Sequence, residues 1–138
     1  MKILFICKSN VRRSQIAEEL FNHYTFDHIG LSAGTHAAEY NGKKLKECAH
    51  HVVAVLKERG IDISDKTPIQ LTPEHVQFTD KIIVITDKNS LPSYLISSTK
   101  VEYWDVQDAE GKDYKFHVEL REKIDILVIE LLISLMKI

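Results

Sequence analysis

The segment Cys7-Lys8-Ser9-Asn10-Val11-Arg12-Arg13-Ser14 gathers a thiol, two arginines, a lysine and two hydroxyls into one short stretch. What such a set can do depends on where the chain holds it. Just before it, Ile3-Leu4-Phe5-Ile6-Cys7 is a continuous apolar run, β-branched and aromatic. That pattern reads as a buried strand, central in a sheet covered on both faces. From Ser14 to Tyr24 the period changes: Ile16, Ala17, Leu20 and Phe21 share one helix face. Glu18 and Glu19 fall in the first turns, where the helix dipole favours acid. Lys8 to Arg13 is therefore the loop from the carboxyl end of a strand to the start of a helix.

A short loop over a helix N-terminus turns successive backbone N–H groups into one concavity, a nest for an anion. Positive potential there favours an anionic sulfur, so Cys7 is expected to act as a thiolate nucleophile. Arg13 can grip two oxygens of a phosphate with its planar fork. Ser14 can donate to the sulfur, Asn10 can tie the loop together through its amide, and Lys8 and Arg12 add positive charge. The competing reading makes Cys7 a small core residue at a strand end and Arg13 a surface charge. The spacing of Cys, Arg and Ser at a strand–loop–helix junction favours the oxyanion site instead. Its expected binding set is Lys8, Ser9, Asn10, Val11, Arg12, Arg13 and Ser14.

The rest of the chain must build the sheet that positions this loop. Ile29 to Ala33 is a weaker strand, and residues 35–44 read as loop. Leu45 to Arg59 reads as one helix, with Leu45, Ala49, Val52, Val53 and Leu56 along one side and Gly60 beyond its end. Thr72-Pro73-Glu74 has the form of a helix start. Lys81 to Thr86 is a second strongly apolar strand, Lys100 to Trp104 a short one. Tyr114 to the end reads as a long helix, with Phe116, Leu120, Ile124, Leu127, Leu131 and Leu135 in register. Strands alternating with helices imply a mostly parallel sheet, with ligands at the carboxyl ends of its strands.

These residues resemble the low-molecular-weight protein tyrosine phosphatase superfamily, which also contains the thioredoxin-coupled arsenate reductases. The resemblance is carried by Ile3 to Cys7 leading into Asn10, Arg13 and Ser14. It continues through Ser32-Ala33-Gly34-Thr35, Leu56 to Ser64, and Trp104 to Asp108 followed by Gly111-Lys112. Arg13-Ser14-Gln15-Ile16-Ala17-Glu18 looks most like the reductase branch. The resemblance runs nearly end to end. It implies an α/β fold: a single three-layer domain over residues 1–138, with a four-stranded parallel sheet and helices on both faces.

It also implies a reaction. Attack by Cys7 on phosphorus would give a phosphocysteine, with the loop and Arg13 stabilising the developing charge. The leaving group then needs a proton from a carboxylic acid, which afterwards activates water. Asp108 stands at the position of the family's acid, and Asp105 is the other candidate. Asp80 and Asp87 read as cap or turn residues. The sequence departs from the pattern at two places. Ser9 stands where the family has Gly, so the loop there either avoids a positive φ or stores strain. Ala109 replaces a Pro, which is expected to loosen the acid loop. No aromatic follows Asp108 to wall a substrate ring, which leaves Tyr40, Tyr94 or Tyr103 to do so.

The expected function is hydrolysis of a phosphomonoester, on a protein or a small molecule, with Cys7 as nucleophile, Arg13 as clamp and Asp108 as acid. One alternative is arsenate reduction with an external thiol. The cysteine relay of the reductase branch has no counterpart, because Thr86 to Leu95 contains no cysteine and Cys48 reads as remote from the site. Another alternative is a catalytically weak oxyanion-binding regulatory protein, which Ser9 and Ala109 keep open.

Composition sets the outer bounds. With 138 residues the chain can bury about 68% of its unfolded surface without staples. A net charge of −2 argues against a nucleic-acid or membrane-surface partner. Two cysteines suit a reducing compartment, and the start of the chain does not read as a signal peptide, so a cytoplasmic protein is expected. The 7 histidines are scattered without a metal-ligand spacing, so no metal or other cofactor is expected. The apolar run Ile126 to Met136 is too short to span a membrane and reads as a buried helix face or a homodimer contact.

Overall fold

The computed structural model describes residues 1–136. The elements in order are β1 (Lys2–Cys7), α1 (Arg13–Tyr24), β2 (Ile29–Gly34), α2 (Leu45–Cys48), α3 (His50–Lys57), α4 (Pro73–Phe78), β3 (Lys81–Val84), α5 (Ser93–Ile96), β4 (Val101–Tyr103) and α6 (Tyr114–Met136). Short 3-10 turns at Ala37–Tyr40 and Lys88–Ser90 occupy connections that read as loop or went unread. The expected run of α6 to the chain end falls partly on residues 137–138, outside the described residues.

The four strands are all parallel, in the order β2-β1-β3-β4. β1 is thus interior, as its unbroken apolar run requires. Successive side chains of a strand point to opposite faces, and the core divides accordingly. Ile3, Phe5, Ile83 and Ile85 face a cluster built with Ile16, Leu20 and Phe21 of α1, Val52 and Leu56 of α3, and Leu120, Ile124 and Val128 of α6. Leu4, Ile6, Ile82 and Val84 face a smaller cluster with Leu71, Leu91 and Leu95. Phe5 anchors the larger side, with Phe21 edge-on at 5.6 Å and Trp104 at 5.7 Å between ring centroids.

One expectation about the helices needs revision. The stretch from Leu45 to Arg59 is not one helix. It breaks at Ala49, whose φ of −146° and ψ of 58° leave the helical region. The first turn is pinned elsewhere: Leu45 N–H donates to Lys66 O at 2.8 Å and Lys46 N–H to Ser64 O at 3.1 Å. Ala49 absorbs the change of direction, so that Leu45, Ala49, Val52 and Leu56 all still reach the core. The long α6 buries His117, Leu120, Arg121, Ile124, Val128, Leu131 and Leu135, while Phe116 and Leu127 are only half-buried. Arg121 ties it to α3, donating to Val55 O at 2.9 Å and pairing with Glu58 and Glu122. The start of α4 is as read, with Thr72 N–H donating to His75 Nδ1 at 2.9 Å ahead of Pro73. No helix among the described residues is long and apolar enough to cross a membrane.

His117 is 3% exposed. Burial holds its pKa below the ordinary histidine value, against its bond to the Asp113 carbonyl and with the charges of His51 and Arg12 adding to the effect. The folded protein therefore binds fewer protons here than the unfolded chain does. The stability this site contributes is full above about pH 6.5 and is lost as pH falls below that. Thermal unfolding followed from about pH 5 to pH 7.5 is expected to show a smaller acid loss in His117→Phe than in the wild type.

Candidate active site

The loop at residues 8–12 turns on Asn10, the one non-glycine residue with a positive φ among those described, at 59°. Asparagine tolerates that region better than most residues. Here its side chain is also fully buried and fully used. Oδ1 accepts the Ile69 backbone N–H at 2.9 Å and Gln15 Nε2 at 3.1 Å. Nδ2 donates to Ser14 Oγ at 2.7 Å and to Ser32 Oγ at 2.9 Å. The Ile69 donor settles which end of the amide is oxygen. Ser14 thus accepts from Asn10, which leaves its own proton for Cys7 Sγ, 3.0 Å away. Ser32 donates onward to Glu18 Oε1 at 2.5 Å, which also receives Lys66 Nζ at 3.1 Å. Of the two outcomes weighed for Ser9, the structure takes the unstrained one, because Asn10 carries the left-handed turn.

Four carbonyls of the segment are satisfied by its surroundings. Cys7 O accepts Thr35 N–H at 3.0 Å, Lys8 O accepts His36 N–H at 2.7 Å, Asn10 O accepts Gln15 Nε2 at 3.0 Å, and Arg12 O accepts Ile16 N–H at 3.0 Å. Its amides are not. Among the described residues, no backbone N–H from Lys8 to Ser14 has a protein acceptor. Yet Asn10, Val11 and Ser14 are buried to within 1%. Arg13 repeats the pattern. Its side chain is 9% exposed, Nη1 donates to Val106 O at 3.2 Å, and the buried Nε has no partner. Buried donors without acceptors are costly. A tetrahedral oxyanion beside Cys7 is the ligand that would satisfy this set.

Val106 and Ala109 pack into the core and hold the segment between them at the site. Asp108 Oδ2 lies 3.9 Å from Arg13 Nη2, and Asp108 Oδ1 accepts Glu110 N–H at 3.3 Å. Ala109 is anchored in this loop. Its methyl is fully buried, and its carbonyl accepts Lys112 N–H at 3.0 Å across a turn in which Gly111 has a φ of 75°. A cavity of about 660 Å³ opens here, at the carboxyl ends of β1, β3 and β4. Its walls include Lys8, Arg13, Asp87, Trp104, Asp105 and Asp108.

Sequence reasoning missed part of this wall. Asp87 does act as a turn residue, with its carbonyl accepting Ser90 Oγ at 3.2 Å, but it also lines the cavity. The aromatic wall is Trp104, while Tyr40 and Tyr94 pack against the core clusters. Tyr103 lines an adjoining hollow beneath Lys88, 4.4 Å from its ring centroid. Cys48 does not line this cavity; it borders a separate concavity beside Arg12 and Ala109. Among the described residues, no group of three or more His, Cys, Asp or Glu could hold a metal ion.

The role of Gly34 is steric. A Cβ there would sit 2.7 Å from Lys8 O, 2.8 Å from Asn10 N and 2.9 Å from Ser9 C, all backbone atoms of the loop. The loop cannot yield without losing its bonds to Thr35 and His36. Gly34→Ala is expected to cost about 2 kcal/mol of stability. It should also weaken inorganic phosphate binding, with thermal unfolding and calorimetry as the measurements.

The whole arrangement can be compared with known proteins. The family described as low molecular weight phosphotyrosine protein phosphatase matches residues 2–137. The solved low molecular weight protein tyrosine phosphatase from T. tengcongensis is similar with a TM-score of 0.86 and 29% identity, over 97% of this chain and 99% of that one. A putative arsenate reductase from Halobacterium salinarum is 27% identical over 136 residues, 94% of this chain and 89% of its own length. A protein-arginine-phosphatase from Geobacillus stearothermophilus is 33% identical over 86 residues, 62% of this chain and 54% of its own length. With the match running from β1 through α6, the chain belongs to the low molecular weight phosphotyrosine protein phosphatase family.

Proposed function

We propose that the protein hydrolyses phosphomonoesters through a phosphocysteine at Cys7. The observation that carries this reading is the run of unpartnered N–H groups from Lys8 to Ser14 around a thiol. Cys7 Sγ attacks phosphorus in line and forms the S–P bond as the P–O bond to the leaving group breaks. The loop amides and Arg13 hold the equatorial oxygens, where charge develops. Asp108 gives its proton to the departing oxygen, then takes one from the water that attacks the S–P bond. That second step releases inorganic phosphate and returns the thiolate, which Ser14 stabilises by its hydrogen bond. Asp108 is preferred to Asp105 as the acid because it alone approaches Arg13, at 3.9 Å. The substrate is a phosphorylated protein or a small phosphomonoester. Chemistry of this kind is named among the relatives, one of which is a mutant arginine phosphatase with a phosphorylated active site serine, at 26% identity and a TM-score of 0.84.

A second reading has its own support. Arsenate presents the same tetrahedral oxyanion, and the relatives include an arsenate reductase from Staphylococcus aureus that is 27% identical over 128 residues. Cys7 and Cys48, both free, are the whole thiol complement. Reduction would then proceed by attack of Cys7 on arsenic with loss of water, then attack of an external thiol on that sulfur, which breaks the S–As bond, leaves its electron pair on arsenic as arsenite, and leaves a mixed disulfide that a second external thiol reduces. Two free cysteines also suit a cytoplasmic setting. A homodimer is the further proposal for α6, where Ile126, Ile129, Ile133 and Met136 form an exposed apolar row.

Hydrolysis of p-nitrophenyl phosphate tests the main reading. Cys7→Ser is expected to abolish turnover and Asp108→Asn to lower kcat by about 10²–10³-fold, with Asp105→Asn near wild type. Absence of hydrolysis by the folded, reduced protein would overturn it. Thiol-dependent arsenate reduction then becomes the next assay, and silence there too leaves a weak oxyanion-binding protein. Sedimentation of the wild type beside Ile129→Lys/Ile133→Lys tests the dimer: a dimer that the double variant reduces to monomer is the expected result.

A further inference from the structure

A second concavity, of about 340 Å³, adjoins the loop at Arg12. Arg12 contributes to its wall from the loop, His50 and His51 from the start of α3, Lys112 from the turn after Ala109, and His117 from α6. No carboxylate lines it, in a chain whose net charge is −2. Among the described residues, none of these five side chains makes an ion pair. Cys48 also lies on the wall, but burial raises its thiol pKa, so it supplies no negative charge.

His117 is the buried member of the group. Its Nδ1 lies 2.8 Å from Asp113 O, which requires the proton on Nδ1. Its Nε2 has no partner among the described residues. The His51 ring stands against it at 4.8 Å between centroids, and Tyr114 flanks His51 at 5.8 Å. The charges of Arg12 and His51 oppose protonation of His117, and only the Asp113 carbonyl and carboxylate favour it. Basic groups from the loop, α3, the turn at Lys112 and α6 therefore converge here, with the Asp113 carboxylate nearby but no carboxylate on the wall. An acidic group would relieve that repulsion and draw a proton onto His117.

The position relates this concavity to the chemistry. Arg12 precedes Arg13, and Ala109 follows Asp108. Consecutive Cα atoms lie about 3.8 Å apart, so two walls of the concavity are chain neighbours of Arg13 and Asp108 in the active-site cavity. We propose that it is a second anion subsite, and that the protein prefers phosphorylated substrates with an acidic group within a residue or two of the phosphate. The proposal rests on the phosphatase reading.

The test compares p-nitrophenyl phosphate with two phosphotyrosine peptides that differ only in Asp or Asn at the residues flanking the phosphotyrosine. The Asp peptide is expected to be favoured about 10-fold in kcat/KM near pH 6 and less near pH 8, since the acidic group and a proton on His117 bind together. The double variant Lys112→Gln/His51→Gln should bring that ratio to about 2 or below while leaving p-nitrophenyl phosphate turnover unchanged. Three outcomes would overturn the subsite: equal kcat/KM on the two peptides, a preference the double variant retains, or no turnover of either peptide by an enzyme active on p-nitrophenyl phosphate. Failure on p-nitrophenyl phosphate itself strikes the phosphatase reading rather than the subsite alone.

Discussion

A loop that offers its amides to an anion cannot also use them to hold itself together. That constraint governs much of the structure around Cys7. Each unpaired buried donor costs about 1–3 kcal/mol, and a domain's whole net stability is about 5–15 kcal/mol. Left to itself, such a loop would refold to pair its own N–H groups. It is prevented by what binds its other atoms. The carbonyls of Cys7, Lys8, Asn10 and Arg12 are all taken by neighbours, and the Asn10 side chain makes four further bonds to Ile69, Gln15, Ser14 and Ser32. The amides remain free while the loop's fold is held through these carbonyls and the Asn10 side chain.

The sheet order supplies the place for this arrangement. β1 is flanked by β2 on one side and β3 on the other, so the chain leaves β1 at a point where the connections diverge. The loop opens at that carboxyl edge, as ligand sites do in open parallel sheets. β2 supports it from below through Gly34, Thr35 and His36, and the segment after β4 closes over Arg13 with Val106, Asp108 and Ala109. Two buried apolar side chains, Val106 and Ala109, therefore set the distance between a carboxylate and a guanidinium. The core and the chemistry share residues here.

Charge is distributed unevenly around the same loop. On the side of Arg13, the cavity mixes Lys8 and Arg13 with Asp87, Asp105 and Asp108. On the side of Arg12 the lining groups are basic or neutral. The near-balanced total of 18 basic and 20 acidic residues conceals this division. Adjacent arginines thus serve two different environments, one facing acids and one facing none.

The sequence determined the elements that depend on local pattern. The apolar run before Cys7, the switch to a helical period after Ser14 and the Thr72-Pro73 start were legible because strand burial, helix amphipathicity and capping act over a few residues. The reactive loop was legible for the same reason, since its thiol, arginine and serine lie within one turn of chain. Tertiary structure alone decided what lies far apart. Gly34 matters because the loop leaving β1 crosses it, and Asn10 holds its φ because Ile69, 59 residues on, donates to it. Ala49 breaks a helix that the periodicity made continuous, because Lys66 and Ser64 claim its first turn. Ala109 anchors its loop because its methyl finds the core. The histidines read as scattered, and only the packing of α3 against α6 brings His51 and His117 together. Each of these depends on contacts between distant segments, which no local spacing encodes.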